Sequence, residues 1–231
     1  MTGYGYPQME RLLPPSMHGR ARIMHQTLTR MQALVSAVKA GHTHYDESGG
    51  TVVSLHVEGE DGTMMADNGF ERRTSLPAVR QARGDVLIAG LGLGMILHPI
   101  CGRGRVRSVT VLEKYPDVLE LVRPSLPRTR KLRIEIADAF TWEPGARAFD
   151  TIWFDIWPHF GAGTLVDMVK LHSRYKPHLR PGGWMDSWMR PHNLRVLEEH
   201  RSPGCDGGRA ARALREYFHD LCHLDTTKET P

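Results

Sequence analysis

Apolar and polar positions change their spacing along the chain, and each change predicts an element. From Ala21 to Ala40, apolar residues return at helical spacing (Ile23, Leu28, Met31, Leu34, Val35, Val38), which predicts one helix stopped by Gly41. Thr51 to Val57 alternates and predicts a strand. Gly59 to Gly62 supplies a turn, and Thr63 to Ala66 returns as the hairpin partner. The first twenty residues, rich in Gly, Pro and Tyr, show no period and are expected to be loose. Residues 1–83 therefore read as an N-terminal extension made of a helix and a β-hairpin.

A second pattern begins near residue 84. Asp85-Val-Leu-Ile-Ala-Gly90 is a short continuous apolar run, as expected for a parallel strand buried on both faces. Met95 to Cys101 predicts a short helix, Ser108 to Leu112 a strand, and Pro116 to Val122 a helix with proline at its start. Strands follow at Leu132 to Ile136 and Phe149 to Phe154, and a helix at Thr164 to Tyr175. Pro181-Gly-Gly183 turns into a fifth strand, Trp184 to Trp188; Leu194 to His200 and Arg209 to Leu221 are helices. Strand and helix alternate, so residues 84–231 read as a doubly wound, mostly parallel α/β sheet. After Trp188 no clear strand pair completes a seven-stranded sheet, so the sheet is either short or completed by the N-terminal hairpin.

Composition narrows the classes. The 231 residues are 40% hydrophobic, enough for a real core, and no apolar run approaches the ~18 residues of a membrane helix. The start, Met-Thr-Gly-Tyr-Gly-Tyr-Pro, lacks the charged-then-apolar pattern of a signal peptide. The three cysteines form no disulfide framework, so a cytoplasmic home is expected. No zinc spacing is present: His42 with His44 is too sparse, and Cys205, His219, Cys222 and His223 lack the usual pairings, so no metal is predicted. The net charge is +4, with arginine clusters at Arg103, Arg105, Arg107 and at Arg128, Arg130, Lys131, Arg133. Such clusters hold phosphates, but a solvated strand edge explains them equally. No aromatic residues are interleaved, so nucleic acid is not the favoured partner. Self-association is left open.

The candidate chemistry sits at the strand ends. Gly90-Leu-Gly92-Leu-Gly94 follows the first parallel strand directly, where glycines allow a tight turn and close approach of a ligand to the backbone. It is G-x-G-x-G, not the dinucleotide G-x-G-x-x-G. Glu113 closes the second strand, where a carboxylate can accept both ribose hydroxyls of a nucleoside; its alternative is a surface glutamate. Asp138 closes the third, beside Ala139 and Phe140, placed for an adenine amino group or, alternatively, as a cap. Asp155 closes the fourth, where it can hold or deprotonate an acceptor amine. Trp157 offers a stacking face, and His159 is a second candidate base among thirteen histidines. Asp186, Ser187 and Trp188 end the fifth strand and are candidates to line an acceptor pocket. Asp67, Asn68 and Glu71 are candidates to close over it.

These motifs carry a resemblance. D-V-L-I-A-G-L-G-L-G, V-T-V-L-E ending at Glu113, A-D-A-F at Asp138, and F-D-T-I-W-F-D ending at Asp155 resemble class I S-adenosylmethionine (AdoMet)-dependent methyltransferases over roughly residues 84 to 190. The spermidine-synthase-like branch is the nearest in look, through its N-terminal β extension and the aspartate-led Asp155-Ile-Trp-Pro158. The resemblance implies a Rossmann-like fold, AdoMet as cofactor held by Gly90, Gly92, Gly94, Glu113, Asp138 and Ala139, and methyl transfer to a small-molecule acceptor. Aminopropyltransferases carry an acid inside the glycine loop, where this chain has leucines. That enzyme, a nucleic-acid methyltransferase and a non-catalytic nucleotide-binding module are the rival expectations.

Overall fold

The computed structural model describes residues 5–39, 49–60, 62–202 and 205–222. These fall into two units: residues up to Arg80 with Leu91–Arg103 and Tyr115–Leu132, and Gln81–Gly90 with Gly104–Lys114 and the chain from Arg133 on.

The first unit contains α1 (Met9–Leu12), β1 (Ser16–His18), β2 (Ala21–Leu28), α2 (Arg30–Lys39), β3 (Gly50–Val57), β4 (Met65–Ala66), α3 (Gly69–Thr74) and the start of α4 (Leu76–Gln81), with α5 (Leu97–Cys101) and α6 (Pro116–Val122). Its four strands form one antiparallel sheet in the order β1-β2-β3-β4. The hairpin of β3 and β4 stands where its alternation and turn placed it.

The helix expected over Ala21 to Ala40 is half wrong. Ala21–Leu28 is a strand, because its buried positions alternate: Ala21 and Ile23 are buried, Arg22 and Met24 exposed. Its partners on β3 match, with Ala21 opposite Val57 and Ile23 opposite Leu55, all four buried. Cross-strand packing overrides a spacing that also fits a helix. The helix begins only at Arg30, after a reciprocal cap: Thr29 N–H donates to Gln32 Oε1 (2.9 Å), and Gln32 N–H donates to Thr29 Oγ1 (3.3 Å). The Gly41 stop lies outside the described residues.

The expected looseness of the first twenty residues is also corrected. Tyr6, Met9 and Leu13 are buried, and Tyr6 Oη donates to the Arg72 carbonyl at 3.0 Å. Asp67 ties this segment down. It pairs with Arg72 at 2.6 and 2.8 Å and accepts from Met9 N–H at 3.3 Å. Asn68 caps α3 by accepting from Glu71 N–H at 2.9 Å.

The second unit is built on β5 (Gly84–Ala89), β6 (Val106–Glu113), β7 (Leu132–Ile136), β8 (Phe149–Phe154) and β9 (Leu179–Ser187), in the order β7-β6-β5-β8-β9. β5 pairs in parallel with β6 and β8, and β8 with β9. This is the doubly wound parallel sheet expected, with five strands; the N-terminal strands form their own sheet and do not complete it. Val86, Leu87, Ile88 and Ala89 are all buried, which accounts for the continuous apolar run. β9 starts earlier than expected, at Leu179. Pro181-Gly-Gly183 lies inside it, and the register against β8 slips between Phe149 and Thr151. Helices α7 (Leu165–Tyr175), α8 (Arg190–Glu199) and α9 (Gly207–Cys222) complete the unit. Leu171 and Tyr175 of α7 pack on Leu87, Ala89, Phe154 and Met185, and Leu194 and Phe218 join Leu165 and Met168 in a second cluster. Among the described residues no helix is long and apolar enough to cross a membrane.

Four charges lock the opposite end of the sheet from Gly90, each from the second residue of its strand. Arg107 Nη2 lies 2.8 Å from both Asp85 and Asp150, and Arg180 Nη1 lies 2.8 and 2.6 Å from the same pair. Asp150 also accepts from Asp85 N–H at 2.7 Å. Thus Arg107, one of the clustered arginines, is committed to the fold. The Arg107 hydrogen bond, helped by Ser108 and Arg180 and opposed by burial, holds the Asp85 carboxyl down at about 2. A depressed folded-state value stabilises the fold above the ordinary carboxylate range, and that contribution is lost as pH falls from about 4 to about 2. Asp85→Asn is expected to cost about 1 kcal/mol at pH 6, given the partial exposure of the pair. Urea melts at pH 6 and pH 2 check this: the midpoint gap between wild type and variant should close at the lower pH, and a constant gap refutes the charge account.

Candidate functional site

In an open parallel sheet, ligands bind beyond the carboxyl ends of the strands where the strand order reverses. Here that place is the end of β5, flanked by β6 and β8. Gly90 N–H donates to Leu112 O on the β6 side (2.9 Å), and Asp155 N–H donates to Ala89 O on the β8 side (2.8 Å). Gly90 has φ +98°, and a Cβ there would run into the Asp155 carbonyl. Only glycine satisfies both conditions.

The next two strands place their carboxylates differently. Glu113, the last residue of β6, is buried, and its carbonyl accepts from Ala137 N–H at 2.8 Å. Asp138 is partly exposed. Its Oδ1 accepts from Phe140 N–H at 2.9 Å, its carbonyl accepts from Thr141 and Trp142 N–H, and Lys114 Nζ stands 3.7 Å from Oδ2. Asp138 therefore organises its own turn. Ala139 is buried, and its carbonyl accepts from Tyr175 Oη at 2.8 Å, within a packed environment that pushes the Tyr175 phenol up to about 12.

Gly92 and Gly94 belong to the first unit, and both have positive φ, +51° and +73°. Gly92 lies against Met65 of β4: a Cβ would overlap the Met65 sulfur, and Leu93 N–H donates to that sulfur at 3.2 Å. Nothing in the sequence pointed to Met65, because the contact joins residues far apart in the chain and carries no local period.

On the reacting side, Asp155 keeps part of its surface open, yet the protein around its carboxyl is dense. That desolvation raises the carboxyl to about 7, offset in part by the neighbouring Trp153 indole. Trp157 packs against both apolar clusters of the second unit, and its indole N–H is a buried donor with no hydrogen-bond partner. His159 is exposed on the same loop. Asp186 is held by Arg190, from Nε at 2.5 Å and Nη2 at 3.2 Å, and also accepts from Ser187 N–H at 2.7 Å. The pair joins the end of β9 to the start of α8 across Met189, so no helical or strand period in the sequence signals it. Ser187 is buried, with its Oγ 2.8 Å from His172 Nε2; burial lowers that imidazole to about 3, so it is neutral. Of the candidate residues, the second unit thus brings Gly90, Glu113, Asp138, Ala139, Asp155, Trp157 and Asp186 to the carboxyl ends of its strands. Asp67 and Asn68 are engaged locally within the first unit.

No protein-family model matches the chain, and no curated protein matches it. Solved structures with partial likeness include the N-methyltransferase NodS from Bradyrhizobium japonicum WM9 in complex with S-adenosylhomocysteine, at 18% identity and TM-score 0.43 over 52% of this chain and 62% of that one. Another is CalS10, an amino pentose methyltransferase from Micromonospora echinaspora bound to SAM, at 26% identity and TM-score 0.40 over 55% and 54%. A third is the CcbJ methyltransferase from Streptomyces caelestis, at 17% and 0.41 over 50% of each chain. The chain thus spans half to just over three fifths of these proteins' lengths, and likeness at this level assigns no activity.

Gly90→Ala tests the geometry directly. The variant combines an unfavourable φ with a collision against backbone, and is expected to lose about 2 kcal/mol or more. A urea midpoint unchanged from wild type shows that the β5 end is not built as described.

Proposed function

We propose that the chain is an AdoMet-dependent methyltransferase acting on a small polar acceptor. The observation that carries the reading is the reversal of strand order at Gly90 with a buried carboxylate, Glu113, closing the adjacent strand. At the carboxyl end of a strand beside the reversal, a carboxylate can accept from a pair of ribose hydroxyls. In this reading Glu113 takes the ribose, and Asp138 and Ala139 border the adenine. Gly90 offers backbone without a side chain. A cofactor held there would supply a sulfonium methyl group, whose carbon the acceptor lone pair would attack in line, the new bond forming as the carbon–sulfur bond breaks and S-adenosylhomocysteine leaves.

Asp155 orients the acceptor and takes the proton it gives up. A carboxyl near 7 is poised for that exchange around neutral pH. Trp157 offers an aromatic face and an unpaired N–H to the acceptor, and His159 is the next candidate base. Asp186, spent on Arg190, is better assigned to holding the start of α8 than to touching the acceptor. A cytoplasmic setting accords with this chemistry.

An aminopropyltransferase of the spermidine-synthase-like branch is the second reading. The antiparallel N-terminal sheet ahead of the glycine loop favours it. Leu91 and Leu93, where that branch has an acid, speak for a cofactor that keeps its carboxylate. Comparing AdoMet with its decarboxylated form, in the presence of putrescine, separates the two.

Calorimetric titration with AdoMet and with S-adenosylhomocysteine should give heat from wild type, with Glu113→Ala weakening binding by ~1–3 kcal/mol. A folded sample giving no heat with either ligand sinks the proposal. Asp155→Asn should leave AdoMet affinity within a few-fold and lower turnover ~10²-fold or more. Wild-type turnover should rise as pH passes through about 7, where the raised carboxyl ionises, and the variant should lose that step. An acceptor is found by incubating lysate with labelled AdoMet and profiling the labelled products. Normal turnover by Asp155→Asn removes the carboxylate from the chemistry.

A further inference from the structure

The segment from Asp155 to Thr164 carries the acceptor-side candidates, and the two glycines of its Gly161-Ala162-Gly163 could leave such a loop free. The structure shows it pinned instead. It leaves the sheet at Asp155, whose N–H is held by Ala89 O at 2.8 Å. Trp157 and Ala162 pack with Leu165, Met168, Leu194 and Phe218. The Phe160 ring meets Trp188 and His192 edge-on, with centroids 5.9 and 4.8 Å away.

The tightest fixing is polar and comes from α8. Asn193 is fully buried. Its Oδ1 accepts from Gly161 N–H at 2.8 Å, and its Nδ2 donates to Thr164 Oγ1 at 2.7 Å. The Thr164 hydroxyl in turn donates to Gly161 O at 2.8 Å, which closes a ring of three residues. Donors and acceptors match around it: the single hydroxyl proton goes to Gly161, leaving an oxygen lone pair for the amide. Asn193 itself is placed from the sheet. Trp188 N–H donates to Phe154 O at 2.8 Å, and Met189 turns the chain with φ +58°, a left-handed conformation uncommon outside glycine, directly before α8. The end of β8 thus holds the end of β9, α8 starts from there, and Asn193 reaches back to the loop that leaves β8.

We propose that Asn193 is a positioning residue of the reacting site: through Gly161 and Thr164 it holds the Asp155–Thr164 segment as a fixed wall, so that Asp155 and Trp157 meet an acceptor in one geometry. The assignment rests on Asp155 as the reacting carboxylate. A buried, fully matched polar ring in a water-poor setting specifies one arrangement and penalises the others. The wall requires no closing motion of this segment.

The test uses the full chain and needs neither cofactor nor acceptor. Thr164→Val removes the hydroxyl at nearly constant shape, Thr164→Ser keeps it, and Asn193→Leu removes both the amide donor and the acceptor at similar size. Gly161 amide exchange should be slow in wild type and Thr164→Ser, and at least ~10-fold faster in Thr164→Val and Asn193→Leu. Asp155, followed by carbon-detected NMR of its carboxyl, should titrate near 7 in the first pair and move toward the ordinary carboxylate range in the second, as water reaches it. Melting temperatures within a few degrees of wild type show that the fold itself is kept. A Gly161 amide unprotected in wild type overturns the proposal. So does an Asp155 titration unmoved in both variants while Gly161 exchanges fast, since Asn193 then serves the loop alone. Failure of the cofactor reading shows separately, as absent heat with AdoMet.

Discussion

The constraint on which the site depends is the satisfaction of β5 on both edges. A strand buried in the middle of a parallel sheet has no water for its backbone groups, so each must find a partner on a neighbour. At one end, Asp85 lies in the four-charge cluster that ties together the second residues of β5, β6, β8 and β9. At the other, Gly90 closes onto Leu112 while Ala89 receives Asp155. With both ends fixed, the register along β6 and β8 follows. Val86 to Ala89 stand opposite Val109 to Leu112 on one side and Thr151 to Phe154 on the other. Glu113 and Asp155 are the next residues after those registers. The two carboxylates thus reach the same end of the sheet through hydrogen bonding along the whole length of β5.

The antiparallel sheet of the first unit rests on a different principle. β2 and β3 match buried position to buried position, and the short leading segment is held by the Asp67–Arg72 pair and by burial of Tyr6, Met9 and Leu13. Local propensity contributes little there. The helical part of residues 21–40 survives only beyond Thr29, whose reciprocal bonds with Gln32 give the chain a place to start turning.

What the sequence made legible follows from this contrast. Strands buried on both faces show as unbroken apolar runs, so β5, β6 and β8 and the helices between them could be placed from local signals, and glycines at a strand end could be tied to a ligand. β2 could not, because its one large buried apolar residue, Ile23, also joins the apolar spacing of the helix that follows, and the deciding information is the facing row on β3. The segment before β1 could not, because its order comes from Asp67 and Arg72, far along the chain. In the site, the strand-end positions were legible and their partners were not. That Asp138 bonds its own turn, or that Asn193 clasps Gly161 and Thr164, depends on which side chains the fold brings within 3 Å.

Those partners are what tell the acidic residues at the strand ends apart. Asp186 faces a guanidinium along two bonds and accepts from a backbone amide, so its charge is already used. Asp138 is shared between a turn amide and Lys114. Either would have to break existing bonds before serving a substrate. Asp155 faces the opposite balance. Among the described residues no cation stands against it, and its carboxyl is desolvated beside the Trp153 indole. A group in that position exchanges its proton near neutrality and has lone pairs to offer. The same reasoning ranks His159 below it: its imidazole is exposed on the loop. Sequence alone ranks these four by position along the chain. Burial and pairing rank them by what each can still do.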